Sequence, residues 1–132
     1  MANAKSDYLR SAIVNHVLRA STYTSPSTVY AALFTVAPTS AGGGTEVSTS
    51  GTAYARQAIT FGAPSPAGSV ANSGAVVYPV ATASYGTVVA MAVFDAPTAG
   101  NMLYFGALGT SKTVGTGDQV SFAIGALTIA ET

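Results

Sequence analysis

Apolar positions near the start of the chain recur at three- and four-residue spacing. Leu9, Ala12, Ile13, His16 and Val17 fall on one face, while Arg10 and Arg19 lie elsewhere. Ser6 or Asp7 supplies an N-cap. The pattern predicts an amphipathic helix over about residues 6–19, packed through Leu9, Ile13, His16 and Val17 and ending before the turn-rich STYTSPS. Everything after it reads as strand and turn. Residues 28–36, TVYAALFTV, are β-rich and apolar on both alternating faces, as a buried strand is. Residues 37–51 read as a Gly/Ser/Thr-rich loop. In YARQAITF the pattern alternates, with Tyr54, Arg56, Ala58 and Thr60 on one side and Ala55, Gln57, Ile59 and Phe61 on the other.

After a second loop, GAPSPAGS, come GAVVYPV, GTVVAMAVF, MLYFGAL and QVSFAIGALTI, the later ones separated by DAPTAGN and VGTGD. Their Ala-Gly-Asn and Gly-Thr-Gly-Asp elements supply the positive-φ positions that tight reversals need. Six to eight short strands at roughly ten-residue spacing, without an internal repeat, predict a mainly β protein. The expected fold is an antiparallel β-sandwich, jelly-roll-like, with one N-terminal amphipathic helix. It forms a single domain over residues 1–132, with strands from about 28 to 130. Abundant Ala, Gly, Ser and Thr imply close-packed, rather flat sheets.

At 132 residues the chain can bury roughly two-thirds of the surface that its unfolded form exposes. Charged residues make up 8%, five acids against five bases, where ordinary domains carry about 25%. Near-zero net charge favours association, so a homo-oligomer is expected. The bases, Lys5, Arg10, Arg19, Arg56 and Lys112, are scattered rather than clustered, which argues against a nucleic-acid partner. No charge occurs from Gln57 to Phe94, yet Pro64, Pro66, Pro79, Gly74 and Gly86 interrupt that span, so a membrane helix is not expected. Lys5, Asp7, Arg10 and Arg19 break up the apolar run that a signal peptide requires, leaving cytoplasmic synthesis as the expectation. Without cysteine there is neither a disulfide nor a thiolate metal site.

Candidate chemistry is sparse. His16 is the only histidine and lies on the face expected to be buried, which suits a structural role better than a functional one. Asp7, Glu46, Asp95, Asp118 and Glu131 are each alone in sequence, and Asp95 and Asp118 occupy turn positions that aspartate fills for backbone reasons. AGGGTE lacks the lysine and the strand-to-helix setting of a phosphate loop. The tyrosines could stack on sugars or bases, but on alternating strands they more often serve a core or an interface. No catalytic, metal-binding or cofactor-binding residue is therefore expected. Arg56, lying mid-strand in a chain poor in cations, is expected to make a structural or inter-subunit contact. Glu46 is a partner within the chain, and Asp95, Asp118 or a neighbouring subunit are alternatives. The interface candidates are Arg56, Tyr54, Glu46, Arg10 and Arg19.

The order of segments resembles a known family. YLRSAIVNHVLR, TSPSTVYAALFT, GTEVS, YARQAITFGAPS, ATASYGTVVAMAVFDA, GNMLYFGAL and TGDQVSFAIGALTI are similar, from Tyr8 to Ile129, to small tailed-bacteriophage structural proteins commonly labelled phage tail fibre proteins. Members carry the N-terminal helix, the Gly-rich loop before the YARQ strand and a GIFDA-like segment where this chain has AVFDA. They often have tryptophan where it has Tyr85. The resemblance implies a virion protein without catalytic residues. Two roles follow as expectations. The first is a capsid decoration or cement protein bound over major capsid protein junctions. The second is a tail or tail-fibre component that contacts tail proteins and a host receptor or glycan.

Overall fold

A computed structural model gives the fold and describes residues 3–131. The strands are β1 (Ala4–Lys5), β2 (Val29–Val36), β3 (Thr45–Glu46), β4 (Gln57–Ile59), β5 (Ser69–Ala71), β6 (Val76–Val77), β7 (Gly86–Phe94), β8 (Met102–Val114), β9 (Ser121–Phe122) and β10 (Thr128–Ala130). One helix, α1 (Asp7–Leu18), follows β1. The molecule is mainly β with an N-terminal helix, as expected, and all its strand pairs are antiparallel.

The large sheet runs β1-β8-β7-β2, and β3 and β4 share the outer edge of β2. The pairs β5–β10 and β6–β9 form a second layer. β2 is apolar through its centre, Ala31 to Phe34, because both of its faces are covered there. Ala31 and Leu33 join one core with Val88, Met91, Tyr78, Val120 and Phe122, between the layers. Ala32 and Phe34 point the other way, into a smaller cluster with Ala90, Ala92 and Met102. The small alanines on this second face let Phe94 and Phe105 pack close against it.

The Ser6 hydroxyl accepts the Leu9 amide and caps α1, and Asp7 places a carboxylate in its first turn. Beyond Arg19 the chain turns away through Ala20, at φ +52, and the amides of Arg19 and Ser21 both bond the Asn15 carbonyl. The expected packing face needs correction. Leu9 is buried and Ile13 half-buried, but His16 and Val17 are exposed, as are Val14 and Leu18. Periodicity tells which residues share a face, not how far the sheet beneath extends. α1 is fixed at its first turn, where the Ser6 amide bonds the Leu103 carbonyl, and its second half stands in solvent.

Other strand expectations also change. β1 precedes the helix, although the expected strands begin at about 28, and β3 falls inside the stretch 37–51 that reads as a loop, because its two residues find the edge of β2. QVSFAIGALTI divides into β9 and β10 around Gly125, at φ +80, where the Ala126 amide bonds Ala123. MLYFGAL continues to Val114, because residues 108–111 bulge opposite the single residue Val89 before pairing with β7 resumes. The strand of YARQAITF starts only at Gln57. Ala53 at φ +63 and the bond from the Tyr54 amide to Thr52 Oγ1 turn the chain just before it. Tyr54 and Ile59 consequently enter the same core, which unbroken alternation would forbid.

Candidate functional site

Along the outer edge of β2, pairing passes from β4 at Val29–Ala31 to β3 at Phe34–Val36. Backbone groups in the gap need partners, since an unpaired buried amide or carbonyl is costly. The Val47 amide, which bonds the Leu33 carbonyl, and two buried tyrosines supply them. Tyr54 Oη accepts the Leu33 amide at 3.0 Å and donates to Glu46 Oε2 at 2.7 Å. Tyr78 Oη donates to the Ala31 carbonyl at 2.8 Å. Their rings stack with centroids 6.0 Å apart, and Tyr85 meets Tyr54 edge-on at 5.7 Å. Burial pushes the Tyr54 and Tyr78 phenols far above their ordinary range, and the Glu46 carboxylate adds to the shift in both.

Glu46 in turn holds Arg56. Nε and Nη2 donate to the two carboxylate oxygens at 2.9 and 2.8 Å, a parallel fork. Nη1 donates to the carbonyls of Ala96 and Ala99 at 3.0 and 2.8 Å, and the guanidinium lies 3.7 Å over the Phe94 ring. The Arg56 side chain is 8% exposed. Four of its five N–H groups are thereby engaged inside the chain, so no open fork faces an outside anion. The cluster fastens the β7–β8 turn to the sheet edge.

Glu46, Tyr54 and Arg56 thus meet in one cluster, whereas Arg10 lies exposed on α1 and Arg19 exposed at its C-cap. Arg10 pairs with Asp7 at 3.0 Å, and Arg19 donates to Asn15 Oδ1 at 3.1 Å. Asp95 accepts both the amide and the side-chain NH2 of Asn101, and Asp118 accepts the Gly115 amide, so both shape turns. His16 Nδ1 accepts the Tyr23 amide at the surface. Phe94 and the carbonyls of Ala96 and Ala99 were not foreseen. DAPTAGN reads as a turn, and no feature of it marks its carbonyls as guanidinium acceptors.

The fastened turn borders an open cleft of about 310 Å3, walled by the first turn of α1, the Ser40–Gly43 loop, Phe94 and residues 100–102. The Asp7 amide bonds the Ser40 carbonyl at 2.9 Å, and Thr39 and Gly42 exchange two backbone bonds. At Gly44, φ +72, a Cβ would fall 2.5 Å from the Val36 carbonyl oxygen, so only glycine lets the loop fold back. Among the described residues no group of three acidic or imidazole side chains is placed to hold a metal, and no helix is long and apolar enough to cross a membrane.

Fold and site define a β-rich structural module whose ionic groups fasten its own loops. Over residues 4–130 the chain matches the family described as Podophage GP4 fiber I protein gp80, and it belongs to that family. No curated protein matches it. It is accordingly a bacteriophage virion structural protein, as the resemblance implied. The family is one of fibre components, which overturns capsid decoration as the leading role and favours the second of the two expected roles.

Proposed function

We propose that the protein is a non-catalytic subunit of a virion fibre, assembling with further copies of itself and with tail proteins, and contributing to contact with the host surface. The family match carries this reading: it runs from Ala4 to Ala130 and so coincides with the fold from β1 to β10. The low charge supports self-association. Exposed Val14, Val17 and Leu18 on α1 add apolar surface suited to a subunit contact.

The test is immunogold labelling of intact virions combined with quantification of the chain against the major capsid protein. Label confined to the tail vertex, at far fewer copies than the capsid protein, is expected. Label spread over the whole head at near-equal copy number would restore capsid decoration.

A further inference from the structure

We infer that the cleft beside the first turn of α1 binds a neutral saccharide unit of a cell-surface glycan. A sugar ring presents an apolar face and a rim of hydroxyls, and its recognition needs an aromatic surface beside fixed acceptors and donors. The cleft supplies both. Tyr8, 43% exposed, offers a large aromatic ring, and Phe94 and the buried Met102 line the cleft beside it. Asp7 and Ser40 are polar residues of its wall. Asn101, whose NH2 is taken by Asp95, adds an oriented amide. Gly42 and Gly43 bring bare backbone to the wall.

The ligand class follows from the charge. No Lys or Arg lines the cleft, and the Asp7 carboxylate in the first turn of α1 already answers the positive end of the helix, so a neutral ligand is favoured over phosphate or a carboxylated sugar. About 310 Å3 lies at the small end of ligand sites, matching one residue of a glycan rather than a long segment. The walls are also set before binding. Asp7 is tied to Ser40, Asn101 to Asp95, and the turn carrying Gly100 is held by Arg56 through Ala96 and Ala99. Little ordering entropy then opposes capture.

This inference rests on the fibre reading, and its test is separable from it. The purified full-length chain is titrated, with amide chemical shifts as readout, against methyl glycosides of glucose, galactose, mannose, rhamnose and N-acetylglucosamine, and in parallel against inorganic phosphate. At least one glycoside should move the amides of Tyr8, Ser40–Gly43 and Asn101, with millimolar affinity that salt leaves unchanged. Tyr8→Ala and Ser40→Ala, each with unchanged melting temperature, should bind about tenfold more weakly or not at all. No response to any glycoside, a response that survives Tyr8→Ala, or phosphate moving the same amides would overturn the inference. None of those outcomes touches the fibre assignment, which the virion labelling decides.

Discussion

Arg56→Ala removes four hydrogen bonds and a cation–π contact together. Its chief effect is on what stays behind. Glu46, 26% exposed, keeps only the Tyr54 hydroxyl as a donor near its carboxylate. Breaking a fully buried pair costs about 3–5 kcal/mol. Partial rehydration of Glu46 lowers that figure, and the two stranded carbonyls of the β7–β8 turn, if they find water, add little. A loss of about 3 kcal/mol follows, a large share of the roughly 5–15 kcal/mol by which such domains are stable. At about 4 °C per kcal/mol, the melting temperature should drop by about 12 °C. Arg56→Lys keeps the charge but not the fork, and should lose about half as much. Urea denaturation of the wild type, Arg56→Ala, Glu46→Gln and the double variant measures the coupling directly, and it should exceed about 1.5 kcal/mol. Additive single effects, or Arg56→Ala within about 0.5 kcal/mol of wild type, would refute the assignment of this cluster as a fastener.

Raised phenol pKa values in Tyr54 and Tyr78 mean that the folded state keeps protons which the unfolded chain releases above about pH 10. Stability should therefore be full below pH 10 and fall above it by up to about 1.4 kcal/mol per pH unit for each phenol. Tyr78→Phe should flatten this fall while costing about 1–2 kcal/mol at neutral pH, because the Ala31 carbonyl loses its donor; urea midpoints from pH 8 to 12 check both. Leu9→Ala should cost about 2–3 kcal/mol and Val17→Ala less than about 0.5, since Leu9 is 5% and Val17 68% exposed; equal losses would mean that α1 packs along its whole length. Gly44→Ala should destabilise by more than about 2 kcal/mol, through both its positive φ and the clash with Val36, read as a lower denaturant midpoint.

What the sequence revealed depended on how local the cause was. The β2 and β7 strands and the Ser6 cap are legible because β-branched runs and a capping hydroxyl act within a few residues. The exposure of His16 and Val17 was not, since it depends on where the distant β8 ends beneath the helix. Glu46 could be named as a partner for Arg56, being its nearest charge in sequence. The rest of the cluster could not, because Phe94, Ala96 and Ala99 join it only after β7 has paired with β2 and brought its far end beside the edge. Tyr78 lies in the core, as one of the two settings its pattern allows, and so does Tyr54, which reads as an interface residue because strict alternation puts it on the face of Arg56. Their hydroxyls matter because the gap between β3 and β4 exists only in the folded sheet.

A chain with so few charges gains most from them where the backbone ladder runs out. At the edge of β2, Glu46 and Arg56 act beside the tyrosines that fill the break in pairing. At the opposite edge of the sheet β1 is only two residues long; there Lys5 pairs with Glu131, Tyr104 donates to Glu131, and Asn3 exchanges two bonds with Ala130. Both arrangements replace missing strand pairing with side-chain bonds, and both join segments far apart in sequence, which otherwise depend on short β contacts. The Arg56 fastener has a second consequence. By holding Ala96 and Ala99 it fixes the turn that carries Gly100 and Asn101, one wall of the cleft beside α1. A side chain without solvent-facing chemistry thereby sets the shape of a surface that has it, and loosening it should blur that wall before it unfolds the sheet.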